Sequence, residues 1–150
     1  MLVKRLRVKD VERVKQCDKL FAKFLDSEGK YDDNYQRRKN LNSFLGDLGN
    51  DSNVLLTAEE NDKVIAFLYG YIENKDGMRE PVAHLTFIYV DERNRKQNVA
   101  TNLINEYLEI LKEINIQIIE VKSYKENVAA NRLYNKFGFN ELWTNYRKRI

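Results

Sequence analysis

Apolar positions in this chain follow two rhythms that take turns along its length. Between Leu2 and Val8, Leu2, Leu6 and Val8 lie on one side and Val3, Arg5 and Arg7 on the other, the period of a half-buried strand. Asp10 then stands as an N-cap, and Val11, Val14, Phe21 and Leu25 recur at helical spacing until Asp26, Ser27 and Gly29 close the segment, which predicts a helix over 10–26 with Cys17 in or beside its apolar stripe. The polar run 31–34 reads as a loop. Leu41, Phe44, Leu45 and Leu48 mark a second helix ending near Gly49.

The next part of the chain changes period. Segments 53–59 and 63–73 are apolar, rich in β-formers and separated by Glu60, Asn61 and Asp62, the pattern of a hairpin. The loop NKDGMREP carries the only proline, Pro81, and leads into a strand over 82–90, so three antiparallel neighbours are expected. Beyond a basic turn, Val99, Leu103, Ile104, Tyr107, Leu108, Leu111 and Ile114 return to helical spacing. Residues 116–123 form another strand, and a helix crossing between two strands favours parallel pairing of the strands it joins. Asn127 caps a shorter helix with Ala130, Leu133, Tyr134 and Phe137 inward and Gly138 as its stop, and 139–147 supplies a final strand. The order is β-α-α-β-β-β-α-β-α-β, an α/β (α+β) domain with a mixed, mostly antiparallel sheet and about four flanking helices.

Composition narrows the class. The 150 residues, 43% of them hydrophobic, fit one domain over 1–150 that buries a core without staples. No stretch approaches the length of a membrane span, and MLVKRLRVKD carries charges where a secretion signal would be apolar, so a cytoplasmic protein with no membrane partner is expected. One cysteine, Cys17, and one histidine, His84, give neither a disulfide nor a zinc site, so no metal is expected. The net charge of +3 is modest for a chain that is 33% charged; the basic clusters 37–39, 93–96 and 147–149 lack interleaved aromatic platforms, so nucleic-acid binding ranks last. Trp143 and Tyr146 on the final strand offer an edge for a homodimer.

The chemistry concentrates in PVAHLTFIYVDERNRKQNVATN, where a strand runs through a basic turn into a helix. N–H groups of a first helical turn lack intrahelical partners and face the positive end of the macrodipole, which makes such a junction an anion site. Val90, Asp91, Arg95, Asn98 and Ala100 follow the pattern V-D-x-x-x-[RQ]-x-x-G-x-[GA], with Asn98 at the first glycine position. Asn127, Ala130, Tyr134, Lys136, Gly138 and Phe139 follow N-x-x-A-x-x-x-Y-x-K-x-G-F. With the element order, these motifs make the chain resemble the GNAT superfamily of N-acetyltransferases.

That resemblance implies a splayed parallel pair, the fourth and fifth strands, with acetyl-CoA lying between them as co-substrate. Ile88, Tyr89 and Val90 would bond the pantetheine arm, and Arg95, Lys96, Gln97, Asn98, Val99, Ala100 and Thr101 would hold the pyrophosphate. Asn127 would meet the pantetheine from the other strand. Tyr134 matches the family's proton donor to the departing thiolate; a phenol near pKa 10 beside a thiol near 8.5 makes full transfer uphill, and a hydrogen bond to sulfur is the weaker alternative.

Two residues compete for the base that receives the amine proton. His84, on the strand before the basic turn, carries an imidazole suited to neutral pH, and Glu120, on the strand before Asn127, is a carboxylate needing burial or a water chain. Glu73 is a third. The resemblance implies direct attack of a primary amine, from a small molecule or peptide, in a ternary complex. The acceptor site would be formed by the first two helices, their loop over 27–35 with Asp26, Glu28, Asp32 and Asp33, and the loop 74–81. An acyl-CoA-binding or regulatory module without turnover is the alternative.

Overall fold

The run from 53 to 73 supplies the two central strands of the sheet, which bury residues on both faces. In the computed structural model, which describes residues 1–35 and 48–150, β1 (Leu2–Arg5), β2 (Asn53–Glu60), β3 (Lys63–Glu73), β4 (Val82–Val90) and β5 (Ile118–Val121) stand side by side in chain order. The first four are antiparallel neighbours, and β5 runs parallel to β4. The hairpin between β2 and β3 turns on Asn61 and Asp62, both at positive φ (49° and 60°), a conformation these two side chains tolerate.

Alternation along the strands divides the core between two faces. Val54, Leu56, Leu68, Ala83 and Leu85 meet α2 (Val99–Glu113) and α3 (Val128–Lys136), whose Leu103, Ile104, Tyr107 and Tyr134 complete that cluster. On the other face, Leu55, Phe67, Tyr69 and Tyr89 pack with Val14, Cys17 and Leu20 of α1 (Val11–Glu28). The predicted helices at 10–26, after Asn98 and after Asn127 therefore form, and Gly138 at φ +86° stops α3. Asp10 differs in detail: its carboxylate turns back to accept from the Arg7 N–H at 2.7 Å and makes no cap bond into the helix. The second helix expected around Leu41, Phe44 and Leu45 lies outside the described residues, apart from the buried Leu48 at its end; among the described residues there are three α-helices.

One predicted element does not form. Residues 139–147 were expected as a final strand, but this segment enters no ladder, and Leu142, Trp143 and Tyr146 are 74%, 61% and 91% exposed. Phe139 packs on the core next to α3, but the apolar positions after it, two adjacent and one three residues on, give neither face enough to bury, and basic residues follow. The segment is held by charge instead. Arg147 makes a bidentate contact with Asp32 (2.7 and 3.1 Å), Arg149 reaches Asp33 (2.8 Å), and the Lys122 ammonium lies 5.6 Å from the centre of the Trp143 ring.

These contacts give two expected outcomes. Leu103→Ala should lower the unfolding free energy by about 3 kcal/mol in urea melts, because it empties a fully buried site, whereas Leu142→Ala should change it by less than about 0.5 kcal/mol. The Asp32 carboxyl is lowered to about 2, chiefly by its hydrogen bond from Arg147, so docking of the tail is fully favoured above the ordinary carboxylate range near 4 and is lost as pH falls toward 2. Fluorescence anisotropy of Trp143, the only tryptophan, should drop across that window in the wild type and be low at neutral pH in Arg147→Ala.

Candidate active site

Strand β4 is interrupted at one residue, and the site is built around that interruption. Tyr69 of β3 pairs with Phe87 and Gly70 with Leu85, which leaves Thr86 opposite nothing. This bulge shifts the alternation of β4 by one place, so that Val82 and His84 before it and Phe87 and Tyr89 after it share the face covered by α1. Parallel pairing with β5 also ends there, at Leu85 opposite Val121. Beyond that point β4 continues through Thr86 to Val90 with its β5-facing edge unpaired, and Thr86 is exposed although its strand lies inside the sheet.

The free edge carries Ile88, Tyr89 and Val90, three of the sequence-derived positions. Phe21 and Phe24 of α1 brace it from behind, with ring centres 4.8 and 5.4 Å from Phe87, and Lys23 joins α1 to Asp91 at 3.0 Å. Asp91, held below the ordinary carboxylate range mainly by Lys23, accepts from the Arg93 N–H and opens a short 3-10 turn over Glu92–Asn94. Arg95 lies along the strand end: its Nε donates to the Val90 carbonyl at 3.1 Å, and its guanidinium sits 5.4 Å from the centre of the Tyr89 ring.

Lys96 and Asn98 follow with positive φ (63° and 61°). The conformation at Asn98 is the one a glycine would supply, so the departure from the glycine pattern does not alter the backbone. Asn98 precedes α2 without a side-chain cap bond, and the N–H groups of Val99, Ala100 and Thr101 stand at an uncapped helix start. Lys96, Gln97 and Asn98 are exposed, Val99 is buried against the core, and Ala100 and Thr101 are half-buried.

The competing bases prove to be neighbours. His84 of β4 and Glu120 of β5 are register partners in the parallel pair, immediately before the strands part. On the antiparallel side, Tyr71 of β3 pairs with His84 and stacks on its ring at 4.7 Å. Glu73 lies two residues along on the same face, and its Oε1 is 3.4 Å from His84 Nε2. One imidazole thus stands between two carboxylate-bearing positions, with a ring across it, and is itself 23% exposed. The periodicity of the sequence could place each residue on a strand, but only the register between strands shows that the three converge.

Tyr134 approaches from the opposite face. It is 8% exposed, its ring meets Phe139 edge-on at 5.7 Å, and its hydroxyl is pushed up to about 12 by burial and then by the charge of Glu28. Asn127 caps α3, accepting from the Ala130 N–H at 3.2 Å, and so commits its side-chain oxygen to the helix. Glu28 ends α1; burial raises its carboxyl, and its charge reaches both Tyr124 and Tyr134. Tyr124 in turn stacks on Tyr31 at 5.7 Å and lies 3.5 Å from Asp32. Glu28 carried no sequence signal beyond its charge. Among the described residues no cluster of three or more His, Cys, Asp or Glu side chains could hold a metal, and no helix is long and apolar enough to cross a membrane.

Comparison with solved structures places this fork in a known fold. The BH1408 protein of Bacillus halodurans, as a tetramutant, superposes with a TM-score of 0.83 at 18% identity over 100% of both chains. A ribosomal-protein-alanine N-acetyltransferase from Brucella melitensis biovar Abortus 2308 gives 0.72 at 15% over 100% of both chains. The aminoglycoside N-acetyltransferase AAC(6')-Iy, in complex with CoA, gives 0.70 at 19% over 99% of this chain and 100% of that one. No curated protein sequence matches significantly. Residues 15–139, however, match the sequence profile described as Acetyltransferase (GNAT) family, and with that match the chain belongs to the GNAT family of acetyl-CoA-dependent N-acetyltransferases.

Proposed function

We propose that this protein transfers the acetyl group of acetyl-CoA to a primary amine of a small molecule or peptide, by direct attack within a ternary complex. The observation that supports this reading most is the position of the His84 and Glu120 pair at the root of the fork. A group held along the free edge of β4 presents its acyl end to that pair. Ile88, Tyr89 and Val90 offer the edge N–H and C=O groups for an extended pantetheine arm, and the left-handed turn at Lys96 and Asn98 leads into N–H groups suited to a pyrophosphate. These features fit acetyl-CoA, which supplies an activated thioester.

The residues divide the proton work. An ammonium acceptor must lose a proton to attack; His84 takes it, with the Glu73 carboxylate beside its ring and Glu120 at the paired position on β5. At neutral pH Tyr134 keeps its proton, since its hydroxyl is pushed up to about 12, and it hydrogen-bonds the developing thiolate rather than surrendering the proton outright. Asn127 holds the arm from the α3 side. The half-buried carboxyl of Glu28 favours a cationic acceptor at the end of α1.

Release of coenzyme A over a panel of polyamines, amino sugars, amino acids and short peptides tests the reading. Tyr134→Phe and His84→Ala should each lower kcat by about a hundredfold on the best amine, with the KM for acetyl-CoA within about threefold. Equal losses in kcat and in acetyl-CoA affinity would assign both residues to packing. A wild type that is stabilised by acetyl-CoA yet releases no thiol with any amine would overturn the enzymatic reading in favour of a binding module. Asn98→Gly should leave acetyl-CoA affinity within about threefold, as calorimetry would show, because the backbone already has the glycine-like conformation.

A further inference from the structure

The carbonyl of His84 has an unusual partner. It accepts a hydrogen bond from the Tyr107 hydroxyl at 3.1 Å, and Tyr107 belongs to α2, on the face of the sheet opposite the His84 ring. The tyrosine is fully buried. Its hydroxyl comes through to the backbone only because β3 has no side chain there: a Cβ built on Gly70 would lie 2.5 Å from the His84 oxygen, 2.5 Å from Tyr107 Cζ and closer still to the hydroxyl itself. Gly70 has no positive φ to explain it, so the need is for space.

Gly70 is also the residue at which the register between β3 and β4 slips. At a bulge the ladder is disrupted locally and the strand can bend. Here a side chain from the far face adds a bond to a carbonyl beside the bulge, one residue before the last paired one. His84 is the last residue but one of β4 to pair with β5, and Leu85 is the last. A shift in the His84 carbonyl rotates its peptide plane, and with it both the ring on one face and the strand edge that starts at Thr86.

We propose that Tyr107 is a positioning residue: its hydroxyl, admitted by Gly70, fixes the β4 backbone at the bulge, and so sets the orientation of His84 and the angle at which the fork opens. The inference rests on the proposed role of His84 in proton transfer, but its structural half can be tested without turnover. No group in contact with substrate is invoked; Tyr107 acts through the backbone.

His84 is the only histidine, so its ring Cε1–Hε1 pair gives one unambiguous carbon–proton resonance. Tyr107→Phe keeps the ring and removes the one bond. Leu103→Val, on the same helix and in the same buried cluster, serves as a control for general loosening. The expected result is that the His84 resonance moves in Tyr107→Phe and stays in place in Leu103→Val, while kcat on the best amine falls by about tenfold in Tyr107→Phe with the KM for acetyl-CoA unchanged. An unmoved His84 resonance in a folded Tyr107→Phe protein, or an equal shift in Leu103→Val, overturns the inference. A moved resonance with undiminished kcat also overturns it, by removing the link to turnover. Should the wild type acetylate no amine, the proposed function fails, and the resonance comparison still decides whether Tyr107 holds the strand. If Tyr107→Phe does not fold, the wild type answers: a slowly exchanging Tyr107 hydroxyl proton with a nuclear Overhauser effect to the Leu85 amide supports the bond, and a rapidly exchanging one overturns it.

Discussion

A parallel strand pair that stops pairing halfway leaves backbone donors and acceptors without partners inside a fold, and the organisation of this protein answers that constraint. Along the paired half, from Val82 to Leu85, β5 satisfies β4. Along the other half the edge must be given to a ligand, to water or to side chains, because an unpaired buried amide is costly. Arg95 takes the last carbonyl, that of Val90, and Tyr107 adds a bond to that of His84, just inside the paired half. On the proposed reading the stretch between them receives an extended ligand arm. What looks like a defect in the sheet is thereby confined to a short segment whose two ends are both pinned.

The bulge at Thr86 gives the site its polarity. Were Thr86 paired in regular alternation, Phe87 and Tyr89 would face α2, and the aromatic cluster with Phe21 and Phe24 of α1 would not form. With the bulge, α1 is bound to the free half of β4 through rings and through Lys23 and Asp91, while α2 and α3, with Tyr134, pack on the other face of the sheet. The imidazole and the phenol therefore approach the fork from opposite faces. On the proposed reading, proton acceptance and thiolate stabilisation fall to groups on opposite faces of the sheet.

Much of this was legible in the residues. Helical and strand periods located α1, β2, β3, β4, α2 and α3, because each carries a long apolar repeat, and the motif at Asn127 located the start of α3. The parallel pairing of β4 and β5 followed from the crossover helix between them. Other features depend on tertiary register, which a linear pattern does not encode. His84, Glu73 and Glu120 read as competitors because nothing in their spacing reveals that one strand alignment sets them side by side. Gly70 reads as a weak spot in an apolar strand until Tyr107 is seen to fill the gap. The segment 139–147 has strand-forming residues but, beyond Phe139, no face to bury, and propensity without burial did not make a strand; short-range attraction between arginines and aspartates governs it instead. The match at Asn98 shows the converse, since the residue type departs from its pattern and the backbone conformation does not.

The way the C-terminal segment is fastened has a consequence for how the two walls of the fork respond to their surroundings. Arg149 and Asp33 are 66% and 78% exposed, and Arg147 is half exposed beside Asp32. Attraction between such groups weakens as the Debye length shortens, from about 10 Å at 0.1 M ionic strength to about 3 Å at 1 M. The wall formed by Gly70, Tyr107 and the buried cluster of α2 depends on packing and on a desolvated hydrogen bond, neither of which salt reaches. Ionic strength thus acts first on the side next to Glu28, Tyr31 and Tyr124, and least on the backbone that Tyr107 holds at His84.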